Sequence, residues 1–308
     1  MYRDPPIFAV EGFLSPEQCD RLICLSFGRL QDAHVVGRGE GATNTFGYRQ
    51  GKTPGRTSRT CTLSKEEAAF LIAKAEALAH TSSKTMELPQ VGVYARGHHY
   101  DQHFDAVEPT APSGKAFLAN GGQRIITILV YLNTPSSGGR TAFPMLHAAR
   151  AIRSSACVEP PQDDGDGVLR FRPLEGNALV FFPAFADGKL DQRCLHCAEA
   201  ATETKWVSQI WVRQNEDRRD AEPSKRIEPV SYDPVYEGCS VVKQFGAAPA
   251  EGEDESDNNS DGGGSDSEQS EEAAANGNDS EGSRGASAKA ARGIPEMLRG
   301  VCICAQPI

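Results

Sequence analysis

Residues 124–132 have the sequence Arg-Ile-Ile-Thr-Ile-Leu-Val-Tyr-Leu, which is dominated by β-branched, aromatic and other apolar side chains. This composition is typical of a β-strand. Four other short segments share it, and clusters of Gly, Pro, Asp and Ser separate them along the chain. These segments are Gln90–Tyr94, Val168–Arg172, Ala178–Phe182 and Lys205–Val212. Several short strands of this kind predict a sandwich, barrel or jelly roll, and we expect an antiparallel double-sheet core.

Two helix-start signals precede these strands. Ser15-Pro16-Glu17-Gln18 combines a capping serine, a proline suited to the first helical position and a glutamine able to complete a capping box. Ser64-Lys65-Glu66-Glu67 forms a second capping box, and apolar residues follow both signals at helical spacing. We therefore predict a mainly β protein with flanking helices, an α+β fold.

The charge of the chain is concentrated near its C-terminus. The formal net charge is −10, and the segment 251–282 contains 12 Asp or Glu and no Lys or Arg, which leaves about +2 for the remainder. A near-neutral remainder offers no basic footprint for nucleic acid. The acidic segment cannot bury enough apolar surface to fold by itself. We predict a catalytic domain over 1–215, a linker over 216–250 and a disordered tail over 251–308, whose partner, if it has one, is open.

The nine cysteines are scattered and odd in number, which in a chain of this length indicates mostly free thiols in a reducing compartment. The first residues lack the basic-then-apolar pattern of a signal peptide. No segment approaches the ~18 apolar residues of a membrane span. The expected location is the cytoplasm or nucleus, or the endoplasmic reticulum if the N-terminus is truncated. The sequence leaves the oligomeric state open.

A candidate metal site lies in Tyr100-Asp101-Gln102-His103-Phe104-Asp105. On a strand, residues two apart point to the same face, so His103 and Asp105 can reach one metal ion. His196 follows a second extended segment. Two histidines and one carboxylate form the facial triad of Fe(II) oxygenases, which leaves the other coordination positions open. Lys205, which begins the next strand, is suited to bind the far carboxylate of a dicarboxylate cosubstrate.

The run Cys194-Leu195-His196-Cys197 also allows a zinc interpretation. A structural zinc site needs four converging ligands. On a strand Cys194 would share a face with His196, whereas Cys197 would point away. The iron interpretation is therefore favoured.

Several ordered blocks together resemble the prolyl 4-hydroxylase family of 2-oxoglutarate oxygenases, from about Pro6 to Arg213. The blocks are Pro6–Ile23, Arg56–Ser58, Gln90–Tyr94 with Gly97, Tyr100, His103 and Asp105, Gly121–Thr127 with Leu129–Leu132, Gly138–Pro144, Gly176–Phe182, Gly188, Asp191, Leu195-His196 and Lys205-Trp206. The resemblance implies a double-stranded β-helix, or jelly-roll, core. It also implies Fe(II), 2-oxoglutarate and O2 as reactants, with L-ascorbate as a further cofactor.

The resemblance assigns a role to each matching residue. The iron ligands would be His103, Asp105 and His196. Lys205 would bind the distal carboxylate of 2-oxoglutarate, with Tyr94 and Thr141 as hydrogen-bond partners. Tyr100 and Arg124 would lie near the peptide substrate.

Three positions depart from the family pattern. Arg140 replaces the usual Glu of a Gly-Gly-Glu-Thr block, and Cys197–Ala201 replaces the usual Ala-Gly and Pro-Val. Lys205 follows His196 by nine residues, one fewer than usual. A shortened turn would keep Lys205 directed inward. If the lysine instead rotated outward, Arg213 or Arg140 would have to bind the cosubstrate.

The predicted function is hydroxylation of a peptidyl proline, coupled to oxidative decarboxylation of 2-oxoglutarate to succinate and CO2. One alternative is a 2-oxoglutarate oxygenase with a non-proline target. Another is an inactive fold that serves as a binding or scaffold protein through its acidic tail.

Overall fold

The computed structural model describes residues 2–33, 35–36, 48–49, 55–151, 155–160, 166–219 and 221–226. The predicted disordered tail and the linker beyond residue 226 lie outside the described residues. None of the described helices is long and apolar enough to cross a membrane.

Both predicted helices are present, and a third short helix was not predicted. The helices are α1 (Pro16–Ser26), α2 (Ala69–Ala79) and α3 (Pro112–Leu118). Ser15 and Gln18 form the predicted capping box at the start of α1. Ser64 and Glu67 make the same pair of bonds, but residues 65–68 form a turn and α2 begins only at Ala69.

The described strands form two principal sheets and a two-stranded ribbon, and every pairing is antiparallel. The strands are β1 (Tyr2–Arg3), β2 (Pro6–Val10), β3 (Gln31–Asp32), β4 (Val35–Val36), β5 (Tyr48–Arg49), β6 (Arg59–Thr62), β7 (Gln90–Tyr94), β8 (Tyr100–His103), β9 (Arg124–Tyr131), β10 (Thr141–His147), β11 (Val168–Phe171), β12 (Ala178–Phe181), β13 (His196–Ala198) and β14 (Lys205–Arg213). The larger sheet has the order β1-β2-β12-β9-β14-β7-β6-β3, and the smaller has the order β11-β10-β13-β8. The double-sheet jelly-roll prediction is confirmed.

The five predicted strands correspond to β7, β9, β11, β12 and β14, with ends that differ by at most one residue. Strands β8 and β13, with the sequences Tyr-Asp-Gln-His and His-Cys-Ala, were not among the five segments predicted from apolar composition, although strand geometry was assumed there, and Asp105 lies just beyond the end of β8. Their polar composition hides them from a search for apolar segments, because these strands carry the site rather than the core.

Strand β9 separates the two cores of the domain. Ile126, Ile128 and Val130 face one core, which also contains buried residues of α1 and α2. Leu129 and Tyr131 face the other core, which lies between the two sheets. Because both faces of β9 are covered, its sequence is an almost continuous apolar run rather than an alternating one.

The chain stays in contact with this domain after β14. The Asp217 amide donates to the Lys84 carbonyl at 2.8 Å, and the Ser224 amide donates to the Thr62 carbonyl at 2.9 Å. The chain is therefore held against the domain as far as Ser224, and the predicted boundary at residue 215 stays a prediction.

Ile128 provides a test of the helix-facing core, because its side chain is fully buried in the middle of β9. We expect Ile128→Ala to lower the free energy of unfolding by about 2–5 kcal/mol, since it leaves a cavity in a packed core. Met145→Ala is the control, because Met145 is 59% exposed and should change stability by no more than about 0.5 kcal/mol. Urea unfolding measures both, and equal effects would contradict this description of the core.

Candidate active site

His103, Asp105 and His196 converge on one point between the two sheets. His103, at the end of β8, lies directly opposite His196, at the start of β13. The Nε2 atom of His103 is 3.8 Å from Oδ1 of Asp105, and that of His196 is 3.8 Å from Oδ2. One ligand atom from each residue lies within 4.8 Å of the other two. This is the only such group of His, Cys, Asp or Glu among the described residues.

The hydrogen bonds of the two imidazoles fit a metal ion. Nδ1 of His103 is 2.8 Å from the Asp101 carbonyl oxygen, and Nδ1 of His196 is 3.0 Å from the Cys194 carbonyl oxygen. A carbonyl oxygen only accepts, so both Nδ1 atoms donate. Each Nε2 then keeps its lone pair directed at the shared point, which is the tautomer that a metal ligand requires.

Asp105 is held in its ionised form. Its side chain is 7% exposed, and its Oδ2 atom accepts a hydrogen bond from Thr127 of β9 at 2.7 Å. Burial opposes ionisation, but His196, His103, Arg124 and the Thr127 bond together hold the pKa of Asp105 below its usual value. Burial, with the neighbouring His196, also lowers the pKa of His103 well below its usual value. The residues therefore present two imidazoles and one carboxylate, the donor set that Fe(II) oxygenases use.

Aromatic rings fix the directions of the two histidines. The Tyr100 ring stacks on His103, with centroids 3.6 Å apart and an angle of 16° between the planes. The Arg56 guanidinium lies 4.4 Å from the Tyr100 ring centroid on β8. Phe181 packs against His196 with centroids 4.8 Å apart. Tyr100 thus packs against an iron ligand, and its predicted place near the peptide substrate stays a prediction.

The zinc interpretation fails on the geometry. Cys194 is buried, and its thiol donates to the Phe182 carbonyl at 3.1 Å. Neither Cys194 nor Cys197 belongs to the metal-binding group of the described residues.

Lys205 projects into the interior beside the triad. The residue is 1% exposed, and its ammonium donates to the Gly139 carbonyl at 2.7 Å. It lies 4.9 Å from the Tyr94 ring centroid. In the described part of the chain, no carboxylate lies within 4.0 Å of it. Burial lowers the pKa of Lys205 to about 7. A buried cation that has no protein counter-ion fits the distal carboxylate of 2-oxoglutarate.

The short interval between His196 and Lys205 leaves the lysine directed inward, since it is buried and bonds to Gly139. The two arginines considered as alternatives to Lys205 already have carboxylate partners. Arg213 lies 2.9 Å from Glu87, and Arg140 lies 2.7 Å from Glu159. The structure therefore favours Lys205 over either arginine.

Three further side chains surround the Lys205 pocket. Tyr94 on β7 is paired directly with Lys205 on β14. Thr141, on β10, accepts a hydrogen bond from the Tyr131 hydroxyl at 2.8 Å. The Tyr131 ring centroid is 6.0 Å from the lysine Nζ. Tyr94 and Thr141 were predicted, whereas Tyr131 was not. The sequence feature that could have identified Tyr131 is its position four residues after Thr127, which places both side chains on the same face of β9.

Arg124 lies in a buried ion pair. It is 5% exposed, and its guanidinium makes two bonds of 2.7 Å to the carboxylate of Glu87. Glu87 also contacts Arg213 and Arg219. Burial by itself would raise the pKa of Glu87, but the three arginines lower it to about 2. Arg124 therefore supports the interior of the site, and its predicted place near the peptide substrate stays a prediction.

Trp211 was not predicted from the sequence as a site residue. It lies opposite Thr127 in the β14–β9 ladder, and the Arg124 guanidinium is 3.9 Å from its ring centroid. Its indole Nε1–H is buried and has no hydrogen-bond partner among the described residues. An unpaired buried donor carries a free-energy cost, so this one is a candidate ligand contact.

The metal centre can be tested through Thr127, which touches Asp105 but is not a ligand. We expect His196→Ala to abolish metal binding, and Thr127→Val to weaken it by about ten-fold through loss of the bond that orients Asp105. Isothermal titration with Co(II) or anaerobic Fe(II) measures both affinities. Ser208→Ala is the control, because this buried hydroxyl bonds to the Gln90 carbonyl instead. Wild-type affinity in Thr127→Val would contradict the proposed role of Thr127.

The Lys205 pocket can be tested by the concentration of 2-oxoglutarate that half-saturates the metal-loaded protein. Loss of a charge-assisted bond contributing roughly 1.5–3 kcal/mol should raise that concentration by about ten-fold to a hundred-fold in Lys205→Ala. Only the protonated ammonium pairs with a carboxylate. With a pKa of about 7, wild-type affinity should fall by up to about ten-fold per pH unit above neutrality.

The pH dependence of 2-oxoglutarate binding should disappear in Lys205→Ala. Arg140→Ala is the matched control, because this cation lies outside the pocket and should leave the affinity unchanged. A large loss of affinity in the arginine variant, with none in the lysine variant, would reverse the assignment.

Comparison with known proteins agrees with this geometry. The sequence profile of the 2OG-Fe(II) oxygenase superfamily matches residues 89–213, which contain the triad and Lys205. Probable prolyl 4-hydroxylase 7 of Arabidopsis thaliana is 31% identical over 213 residues, which is 68% of this chain and 62% of that protein. Probable prolyl 4-hydroxylase 6 of the same plant is 31% identical over 215 residues, which is 68% of this chain and 69% of that protein.

Among solved structures, the viral collagen prolyl hydroxylase of Paramecium Bursaria Chlorella virus-1 aligns over 67% of this chain and 95% of its own, at 20% identity and a TM-score of 0.45. The sequence relatives carry the assignment, since they combine 31% identity with coverage of about two thirds of both chains. Fe(II) and 2-oxoglutarate, which the superfamily is named for, match the triad and the buried lysine. The chain therefore belongs to the prolyl 4-hydroxylase family of 2OG-Fe(II) oxygenases.

Proposed function

We propose that this protein hydroxylates a prolyl residue of a peptide or protein to 4-hydroxyproline, coupled to oxidative decarboxylation of 2-oxoglutarate to succinate and CO2. The observation that carries the proposal is the arrangement around the triad. Among the described residues, Lys205 is a buried cation without a counter-ion, and Trp211 is a buried indole without an acceptor that pairs with Thr127, the residue bonded to Asp105. Its relatives in Arabidopsis thaliana are named prolyl 4-hydroxylases.

The triad holds the metal through one face. His103, Asp105 and His196 supply three ligand atoms, and such a facial arrangement leaves the remaining positions for cosubstrate and oxygen. When bound, Fe(II) supplies the oxygen activation that the side chains cannot provide themselves. The protein's part is to orient these three ligands through the Asp101, Cys194 and Thr127 hydrogen bonds. Ascorbate would serve as the reductant, as the family implies.

Lys205 orients the cosubstrate. Its ammonium forms a charge-assisted hydrogen bond with the far carboxylate, which is stronger in a buried pocket than in water. The aromatic rings of Tyr94 and Tyr131 exclude water around it, and the hydroxyls of Tyr131 and Thr141 line the same pocket. The keto acid end is then directed toward the triad.

The substrate side suits proline for a physical reason. A prolyl residue has no amide N–H, so its backbone offers the enzyme only carbonyl acceptors. The buried Trp211 N–H is a donor that lacks an acceptor in the described part of the chain. The Trp211 ring supplies an apolar surface suited to pack against a pyrrolidine ring. We propose that the Trp211 N–H donates to the substrate and that Tyr100 contacts it.

Mass spectrometry of a peptide panel tests this function directly. Proline-containing peptides are incubated with the full-length protein, Fe(II), 2-oxoglutarate and ascorbate, and one oxygen atom should be added at proline with an equal amount of succinate. Oxygen added at another residue would identify the non-proline alternative. A lack of succinate formation with every peptide would favour a binding or scaffold protein.

A substitution at Trp211 tests the substrate side of the proposal. Trp211→Phe keeps an aromatic ring but removes the N–H, and a lost hydrogen bond of this kind should raise the KM for peptide by about three- to ten-fold. The KM for 2-oxoglutarate should not change. Trp206→Phe is the matched control, because Trp206 belongs to the helix-facing core. Equal effects of the two substitutions on the peptide KM would exclude Trp211 as a contact.

A further inference from the structure

The segment that follows β14 takes a defined path over the domain. We call the described residues 216–219 and 221–226 the C-terminal strap. A Cβ atom at Gly121 would lie 2.7 Å from the Glu216 carbonyl oxygen and 3.2 Å from the Asp217 Cα. Gly121 also has a φ of +107°, a conformation that L side chains rarely adopt. Position 121 thus needs glycine both for its own backbone and for the passage of the strap.

Backbone hydrogen bonds hold the strap near both ends. The Asp217 amide donates to the Lys84 carbonyl at 2.8 Å. At the other end, the Ser224 amide donates to the Thr62 carbonyl at 2.9 Å, and the Thr62 amide donates to the Ser224 hydroxyl at 3.0 Å. These bonds tie the strap to the short turn Ser83–Thr85 and to β6 of the larger sheet, and so fix where its side chains lie.

The strap inserts one side chain, Arg219, into the cluster around Glu87. The Arg219 side chain is 11% exposed, and its Nη2 atom lies 3.0 Å from Oε2 of Glu87. Asp217, in the same strap, accepts bonds of 2.7 and 2.6 Å from the Arg219 guanidinium and so fixes its plane. The neighbouring Arg218 is exposed.

Arg219 completes the coordination of the buried carboxylate. Oε1 of Glu87 accepts from Arg124 at 2.7 Å and lies 2.9 Å from Arg213 Nε, and Oε2 accepts from Arg124 at 2.7 Å. A carboxylate has about four acceptor sites, and Arg219 occupies the fourth. Without Arg219 the Glu87 carboxylate loses one of the contacts that set its plane, and the paired Arg124 guanidinium is less restrained.

Arg124 connects the Glu87 cluster to Trp211, the residue that we propose contacts the substrate. Its guanidinium lies over the Trp211 ring at 3.9 Å, and its Nη1 atom is 3.5 Å from the backbone carbonyl of the iron ligand Asp105. A change in the Glu87–Arg124 pair therefore reaches Trp211 directly. The ammonium of Lys205, by contrast, contacts Gly139 and the rings of two tyrosines, which belong to a different part of the site.

We propose that Arg219 is a positioning residue that acts through Glu87 and Arg124 to hold Trp211 at the substrate side of the site. The C-terminal strap then helps to position an active-site residue and is not only a linker. The link to peptide binding rests on the proposed function, whereas the effect on Trp211 itself does not.

Fluorescence tests the effect on Trp211 without substrate or turnover. In a Trp206→Phe background, Trp211 is the one remaining tryptophan of the chain. Arg219→Met keeps the aliphatic stem but removes the guanidinium, and it should make Trp211 more accessible to quenching by acrylamide. Arg218→Met is the matched control and should leave quenching unchanged. Unchanged quenching in Arg219→Met, or an equal change in Arg218→Met, would overturn the proposal.

Steady-state kinetics of the full-length variants test the effect on the site. Arg219→Met should raise the KM for peptide by roughly three- to ten-fold, the size expected when one hydrogen bond to the substrate is weakened. The KM for 2-oxoglutarate should stay within about two-fold. A parallel rise in both KM values would indicate general destabilisation and overturn the positioning role.

A conservative variant covers the case in which Arg219→Met does not fold. Arg219→Lys keeps the charge but loses the planar fork, so it should show the same selective rise to a smaller extent. Wild-type quenching and wild-type peptide KM in Arg219→Lys would then overturn the proposal. If the wild-type protein oxidises no prolyl peptide, the proposed function fails, and the fluorescence measurement alone decides whether Arg219 positions Trp211.

Discussion

The antiparallel pairing of β8 with β13 is the constraint on which the site depends. This pairing sets His103 opposite His196, although 93 residues separate them in the chain. Asp105 follows one of these histidines and is held by Thr127 of the larger sheet. The triad therefore joins both sheets, and any change in their separation would move its ligand atoms apart. The rings of Phe181 and Tyr100 pack against the histidines and keep the separation fixed.

Burial of charge divides the interior into a structural region and a functional one. In the Glu87 cluster, one carboxylate contacts three guanidiniums, and a second carboxylate, Asp217, pairs with Arg219. Lys205 is at least as deeply buried but has no carboxylate partner among the described residues. A fold does not retain an uncompensated buried charge without a reason, because its desolvation costs free energy. The difference indicates that the Glu87 cluster holds the protein together and that Lys205 is available to bind an anion.

The departures from the family pattern are compatible with one another in the structure. Arg140, where the family usually has a glutamate, lies 3.4 Å from Glu199 in the altered segment after His196. Glu199 also pairs with Arg170 at 2.8 Å, which joins β13 to β11 across β10. The changed residues thus form a new ion network on the smaller sheet. Lys205 is directed inward and donates to the Gly139 carbonyl despite the shorter interval after His196.

The amino-acid sequence by itself determined the strands of the core, the two longer helices, the metal triad and Lys205. These features depend on local composition and on residue spacing, which a strand or helix converts directly into a shared face. Strands β8 and β13 were not predicted from apolar composition, because their polar residues serve the site and break the apolar pattern of a strand. The roles of Arg124, Trp211 and Arg219 were decided only by the tertiary structure. Each of these roles depends on a partner distant in the chain, above all on Glu87. No local sequence pattern specifies which buried carboxylate a guanidinium will pair with.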